Sequence, residues 1–287
     1  MEINPKESTE SLNYSFTFDK DFKRNAKLVQ GVHSNGKISI KLRNYDKIEN
    51  AIECVFTVDE YNLKGTKEPL IFNPTKWIID IKNNISFVRS KEHLRLIFNK
   101  FKNKNRRPEN MANLLVVERL FFHTPLGFEN AGFSNGPYLT FFLNYYNKNL
   151  EQDDLIIFGP NWYSIPINLP FKTIFRCKSI TKEFVIFEGW ISLDEETLDK
   201  SLTDPNYRRR ALDYHFSKDF IIESKINVCI DISTTFLHSA DFKFKLKGEQ
   251  GKLEEEMSYE IKRINNALVE DDDSKIIRGR YRIVDPY

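Results

Sequence analysis

Five histidines and a few carboxylates are the side chains that could do acid–base chemistry in this sequence. The histidines are His33, His93, His123, His215 and His238. General acid–base catalysis needs a histidine within hydrogen-bond reach of an acid in a cleft. One hypothesis is therefore a hydrolase-type enzyme without a familiar motif, whose candidate residues are His123, His215, Asp213 and Glu188.

The spacing of these residues gives that hypothesis little support. No histidine stands in an HExxH or HxH pattern or at another close metal-ligand spacing. Asp213 and His215 are two residues apart, which puts them on neighbouring rather than shared faces of a helix. The single acids Asp80, Glu188 and Asp231 lie inside strand-like runs, where alternation predicts that they face solvent.

Other catalytic and cofactor motifs are also absent from the sequence. There is no GxSxG nucleophile elbow, no Walker loop and no GxGxxG. Cys54, Cys177 and Cys229 lie far apart in apolar runs, which is typical of buried free thiols. We therefore expect no metal and no cofactor, and we favour a protein that is not an enzyme.

Charge argues against a nucleic-acid partner. The 43 Lys and Arg residues nearly cancel the 41 Asp and Glu residues, so the formal net charge is +2 and the chain has no strong overall field. The densest basic run, Lys100 to Arg107, fits a solvated helix C-terminus, where bases complement the helix dipole.

The sequence predicts a cytoplasmic protein. Its N-terminus has neither the basic region nor the apolar region of a secretion signal, unless a leader has been removed, and no uncharged apolar run approaches eighteen residues. An odd number of cysteines fits a reducing compartment.

Alternating apolar residues predict two antiparallel β-meanders. In the first half, Asn35-Gly36 is predicted as the turn of a hairpin, because both residues tolerate positive φ. Ile52, Cys54, Phe56 and Val58 are expected to share one face of a strand. In the second half, the nearly continuous apolar run Phe184 to Leu193 predicts a strand that is buried on both faces or close to it.

Helical periods interrupt the strands twice. Leu94, Ile97, Phe98 and Phe101 form an amphipathic stripe behind the capping residue Ser90. A second, largely buried helix is predicted after Pro108, which gives a helical hairpin over about 90–122. A smaller helical insertion is predicted over about 194–216, where Asp204-Pro205 fits a cap and first turn.

These elements predict an α+β fold that is predominantly antiparallel β-sheet, with the helical hairpin packed on one face. The division falls at 1–145, a β-meander plus hairpin, and 146–287, a second antiparallel region with an acidic linker and a basic tail. The two regions are either separate units or one continuous domain.

The loop after the predicted hairpin is the candidate binding site. Pro, Gly and Asn residues give it a turn-rich backbone, yet it carries Phe128, Phe133 and Tyr138 and follows Phe122. Apolar area of this size needs a cover, either the core or a ligand. We expect Phe133 to pack on the core and Phe128 to contact a ligand or partner.

The sequence thus favours a non-catalytic cytoplasmic binding protein that recognises a protein partner or holds an apolar ligand between sheet and helices. The order of a meander, a helical insertion and a second meander resembles that of bacterial half-open β-barrel carriers, which hold a lipid between sheet and helices. No motif carries a residue over from those carriers, and they are exported proteins.

Overall fold

The fold is seen in a computed structural model of the chain. It describes residues 1, 4–65, 75–82, 85–89, 91–104, 118, 148–164, 168–213, 221–248 and 252–264. Eleven strands in these ranges form a single antiparallel sheet.

The strands follow one another in two meanders. Those of the first are β1 (Leu12–Arg24), β2 (Lys27–Asn44), β3 (Ala51–Gly65), β4 (Thr75–Asp80) and β5 (Ile85–Val88). Those of the second are β6 (Leu155–Ser164), β7 (Asn168–Ile180), β8 (Phe184–Leu193), β9 (Ile221–Asp231), β10 (Phe236–Gly248) and β11 (Leu253–Ile264).

The first and last strands join the two meanders. β1 pairs with β11, so the strand order is β5-β4-β3-β2-β1-β11-β10-β9-β8-β7-β6. The described part of the sheet therefore has β5 at one edge and β6 at the other. This order confirms the predicted dominance of antiparallel sheet.

The first hairpin turns at a different place from the one predicted. Strand β2 runs through Asn35-Gly36 without a break, and these residues pair with Thr17 and Phe16 of β1. The chain turns instead at Asn25 and Ala26, whose φ angles are 50° and 60°. Two consecutive positive φ angles are the geometry of a type I′ turn. Asn25 and Ala26 therefore form such a turn without the glycine that is usual in it.

One face of the sheet, called the inner face, carries the core. Because side chains alternate along a strand, every second residue points to this face. Its fully or nearly fully buried residues include Tyr14 and Phe16 of β1, Ile38 and Ile40 of β2, Cys54 and Phe56 of β3, Phe171 and Phe175 of β7, Phe187 of β8, Val228 of β9, Phe242 and Phe244 of β10, and Ile261 of β11. The predicted shared face of Ile52, Cys54 and Phe56 is therefore correct.

The cysteines are free thiols, as predicted. Cys54 and Cys177 are buried, and Cys229 is partly exposed on the opposite, outer face. Burial raises the pKa of the Cys54 thiol, and the neighbouring Glu53 carboxylate adds to the effect. A thiol held protonated in this way is a packing residue rather than a nucleophile.

Of the predicted helical hairpin, the first helix is described. Helix α1 (Lys91–Lys104) buries Leu94 and Phe98, which confirms two positions of the predicted stripe. The capping residue Ser90 and nearly all of the second helix lie outside the described residues. Glu118 is helical and accepts a hydrogen bond of 2.6 Å from Lys102. The hairpin and its packing on the sheet stay a prediction.

The smaller helical insertion consists of two short helices, α2 (Glu195–Leu202) and α3 (Pro205–Asp213). The predicted cap and first turn at Asp204 and Pro205 are correct, because the Asp204 side chain accepts a hydrogen bond from the Asn206 N–H at 2.9 Å. Leu198 of α2 is fully buried and belongs to the core. None of the described helices is long and apolar enough to cross a membrane.

The residues before β1 connect the two sides of the sheet. The Leu150 N–H, just before β6, donates to the Met1 carbonyl at 2.8 Å. The Ser8 N–H donates to the Leu42 carbonyl of β2 at 3.1 Å. Met1 therefore lies beside the segment that leads into β6, and Ser8 lies beside β2.

Asp194 caps helix α2 and lies almost fully buried. Its carboxylate accepts hydrogen bonds from the Thr197 N–H at 3.3 Å and the Thr197 hydroxyl at 2.8 Å, and Lys172 lies 2.9 Å away. Burial raises the pKa of this carboxyl, but the hydrogen bonds from Lys172 and Thr197 outweigh it, so the net pKa lies below its ordinary value.

We expect the Asp194→Ala variant to lose about 1 kcal/mol of unfolding free energy at neutral pH, as for other helix N-caps. Because the folded-state pKa is lowered, the contribution is full above the unfolded pKa of about 4 and disappears as the pH falls through the lower folded value. Urea denaturation of both proteins at several pH values measures this. The Asp194→Asn variant keeps the cap acceptor and is the control. A stability difference that does not shrink in acid would contradict the role of the charge.

Candidate functional site

The four residues of the predicted binding loop, Phe122, Phe128, Phe133 and Tyr138, lie outside the described residues. Their role as a binding site stays a prediction. The described sheet carries the other candidate residues and surfaces.

The acid and histidine candidates of the enzyme hypothesis are not brought together in the described ranges. His123 and His215 lie outside them, and Asp213 is the last residue of α3. Glu188 lies on the outer face of β8, where its Oε2 is 3.3 Å from Arg176 and its Oε1 binds Lys178. These hydrogen bonds, with Lys178 first, lower the pKa of Glu188, so it is a neutralised anion rather than a proton donor.

The strand acids also behave differently from the prediction that they face solvent. Asp80 is only 5% exposed, because both faces are covered at the end of β4, where Ile78 and Ile79 are both fully buried. Asp231 is partly buried and forms an ion pair of 2.8 Å with Arg263. Alternation alone does not give exposure where a second layer covers the sheet.

The described histidine that meets an acid is one that the sequence did not single out. His33 of β2 has its Nδ1 2.9 Å from Asp19 Oδ1 and its Nε2 3.6 Å from Asp21 Oδ1 of β1. The register of β1 and β2 brings them together. The predicted turn at Asn35-Gly36 did not reveal the contact between His33 and Asp19. It placed His33 next to a hairpin turn, whereas in the structure His33 lies inside β2 opposite Asp19.

Asp19 and Asp21 line a cavity of about 520 Å³ on the outer face. Its other side chains come from β9, β10 and β11 and are mostly charged, including Glu223, Lys225, Lys243, Lys245, Glu256 and Ser258. Asp19 stands opposite both His33 and Ser258 in the sheet register, so the imidazole and the hydroxyl are two strands apart. That separation is about 10 Å, far beyond the reach of a base that activates a hydroxyl.

Neither His33 nor His238 therefore completes a catalytic set. His33 and Asp19 are both about half exposed. His238 packs its ring against Phe184, with the ring centroids 4.9 Å apart. Within the described ranges, no group of three or more His, Cys, Asp and Glu side chains is placed to hold a metal ion.

A more distinctive feature is an exposed apolar row at the β6 edge of the sheet. Ile157 of β6 pairs with Ile174 of β7, and Ile174 pairs with Trp190 of β8. Ile157 is 62% exposed and Trp190 is 39% exposed, and Leu155 beside them is 57% exposed. We call these four residues the edge patch.

The edge patch corrects one sequence prediction. The run Phe184 to Leu193 was expected to be buried on both faces or close to it, but only its inner residues Val185, Phe187 and Gly189 are buried, and Trp190 is exposed. No described element covers Trp190 fully on the outer side. A strand with apolar residues on both faces and one face open is typical of an interaction surface.

Charged side chains border the edge patch on one side. Arg176 pairs with Leu155 across β6 and β7 and forms its ion pair with Glu188. Lys178 binds the same carboxylate. An apolar centre with a polar border is the usual anatomy of a protein-binding surface.

Comparison with known protein families and with curated proteins finds no match for this chain. A solved structure of a DUF1329 family protein from Desulfovibrio piger is similar over 90% of this chain and 88% of that chain, with 8% sequence identity and a TM-score of 0.20. A TM-score this low carries no argument about function.

Proposed function

We propose that this protein is a non-catalytic binding protein that recognises a protein partner through the edge patch. The observation that carries the proposal is the cross-strand row Ile157, Ile174 and Trp190 on the outer face, in which Ile157 and Trp190 are exposed and Ile174 is partly buried. Burying apolar side chains of this size against a partner is favourable by about 25 cal/mol for each Å² removed from water.

The packing of the inner face favours a protein partner over an apolar ligand held between sheet and helices. Described inner-face residues such as Phe175, Phe187 and Ile226 are fully buried against one another. The cavity of about 520 Å³ lies on the outer face, and its lining is charged. An apolar small molecule needs a largely apolar pocket.

The partner contacts the face of the strands rather than adding a strand to the edge. Strand β6 has a register shift between Phe158 and Asn161, includes Pro160, and begins next to Asp153 and Asp154. Bulges, prolines and charges at an edge strand hinder the pairing of another strand. The open side chains of Leu155 and Ile157 remain available on the outer face.

The test compares two lysine substitutions of equally exposed apolar residues. Ile157→Lys places a charge in the edge patch, while Leu96→Lys places one on helix α1, where Leu96 is 61% exposed. Partners recovered from the source cells with the wild-type protein are then purified and titrated against all three proteins. We expect Ile157→Lys to weaken binding by about tenfold or more, as loss of an interface anchor does, and Leu96→Lys to leave it unchanged.

A second copy of the chain is included among the protein partners, so sedimentation velocity of the wild-type protein and both variants accompanies the titration. Equal affinities of wild type and Ile157→Lys for every partner recovered would contradict the proposal. Trp190→Ala serves as a second patch variant, because it removes a large anchor without adding charge.

A further inference from the structure

The edge patch continues across the outer face into a pair of lysines. Gly189 of β8 pairs with Ile226 of β9 at the end of their ladder, and the next residue of each strand, Trp190 and Lys225, is exposed on the outer face. The Ile191 N–H donates to the Ser224 hydroxyl at 2.7 Å, which holds the two strands together at this level. Lys225 in turn stands opposite Lys243 of β10.

Lys225 and Lys243 are like charges placed directly opposite each other. Such a pair is destabilising in a sheet. Both side chains are exposed, and neither forms an ion pair with another residue of the described ranges. They differ in this from Lys178 and Lys245, which bind Glu188 and Glu254.

The two lysines also line the outer cavity beside Ser258. Lys243 stands opposite Ser258 in the register of β10 and β11. The cavity thus offers to an anion a hydroxyl and two lysines that form no ion pair within the described ranges, on the same outer face as the exposed Trp190 indole. Charge-assisted hydrogen bonds from such groups to carboxylates are stronger than neutral ones.

We propose that the partner segment that docks on the edge patch is acidic and carries aromatic or apolar anchors. Its anchors contact Trp190, Ile174 and Ile157, and its carboxylates lie over Lys225 and Lys243. This inference rests on the proposed function and adds the chemistry of the partner. The row from Ile157 to Lys243 crosses five strands, which is about 19 Å, the length of about six extended residues.

An acidic polypeptide fits this surface better than a nucleic acid does. Asp19, Asp21, Glu223 and Glu256 line the other parts of the same cavity. They repel a polyanion that continues past the lysines, whereas a short acidic segment ends before it reaches them. Electrostatic complementarity of this kind selects partners and speeds their association.

Fluorescein-labelled polypeptides of defined composition test the inference without a natural partner. The probes are a random copolymer of Glu and Tyr, polyglutamate, a random copolymer of Lys and Tyr, and oligothymidylate. We expect the Glu and Tyr copolymer to bind the full chain most tightly in fluorescence anisotropy titrations. We expect the affinity to fall as salt is added, because the contacts are exposed.

The charge-reversal variant Lys225→Glu with Lys243→Glu is expected to weaken binding of the Glu and Tyr copolymer by about tenfold or more. The matched control is Lys182→Glu with Lys252→Glu, which reverses two exposed lysines in hairpin turns and is expected to weaken it much less. Trp190→Ala is expected to remove the preference for the copolymer over polyglutamate.

Three results would overturn the inference. They are equal losses in the lysine pair and its control, tighter binding of oligothymidylate than of the copolymer, and equal binding of the copolymer and polyglutamate. A purified protein partner could bind Ile157→Lys more weakly than the wild type but bind the Lys225 and Lys243 reversal variant equally well. That result would support the proposed function and contradict only the acidic character of the partner.

Discussion

The Lys20→Met variant is expected to lose about 3 kcal/mol or more of unfolding free energy. Lys20 of β1 points to the inner face, where its Nζ lies 3.0 Å from Glu255 Oε1 of β11. The Glu255 side chain is only 1% exposed, and it stands opposite Phe22 and Leu246 in the sheet register. Removing the cation breaks the buried ion pair from one side, which typically costs 3–5 kcal/mol.

The double variant Lys20→Met with Glu255→Met is expected to regain most of that loss. Replacing both members of a buried ion pair by apolar residues of similar volume is often neutral or stabilising. Urea denaturation followed by tryptophan fluorescence measures the wild type, both single variants and the double variant. The resulting cycle gives the coupling between the two side chains.

Lys245→Met is the matched control for this cycle. Lys245 lies on the outer face and contacts Glu254 at 3.1 Å, and both side chains are more than a quarter exposed. Exposed ion pairs contribute about 0–1 kcal/mol, so its loss is expected to be small. A Lys20→Met variant as stable as the Lys245→Met variant would show that the buried Lys20–Glu255 ion pair contributes no more to the unfolding free energy than an exposed one.

The local alternation of the strands was predictable from the sequence, because side-chain burial repeats every two residues. Phe16 and Phe18 alternate in β1, and Phe242 and Phe244 alternate in β10, as a one-sided sheet requires. The small helices after Leu193 were also predictable, since Asp204 and Pro205 are local signals that need no distant partner.

The register and the sheet order could not be predicted in the same way. Pairing of β1 with β11 joins residues about 240 positions apart, such as Phe16 with Ile261, and no local pattern specifies it. The turn at Asn25 and Ala26 has no glycine, while Asn35-Gly36 is a stronger turn signal that the fold leaves inside a strand. Long-range pairing overrode the local preference.

Which side chains lie together on the outer face depends on that register and sheet order. Trp190 and Lys225 each lie one residue beyond the Gly189–Ile226 pair on the outer face only because β8 lies beside β9, although 35 positions separate them. Ile157 is exposed because it points to the outer face, which is open at β6, rather than to the covered inner face, where Ile156 is buried. An apolar run alone cannot distinguish these two situations, which is why the edge patch was not found in the sequence.

The Gly189→Ala variant tests how strand β8 presents the edge patch. A Cβ at Gly189 would lie 2.7 Å from Cδ1 and 2.9 Å from Cε1 of the Phe175 ring, and 3.0 Å from the Ile174 carbonyl oxygen. Phe175 is fully buried, so its ring has no free space to move into. Overpacking of this kind is expected to cost about 1–3 kcal/mol.

Removing the ring is expected to make the added methyl group tolerable. Phe175→Leu alone leaves a cavity and lowers stability, but Gly189→Ala should cost less in the Phe175→Leu background than in the wild type, because the clashing ring atoms are gone. Denaturant unfolding of the four proteins measures this difference.

The same variants are expected to change partner binding. Since Gly189 precedes Trp190, a shift of β8 also displaces the Trp190 indole. Gly189→Ala is therefore expected to weaken partner binding, and adding Phe175→Leu is expected to restore part of it. Additive stability losses in the double variant would mean that the Phe175 ring does not set the position of β8.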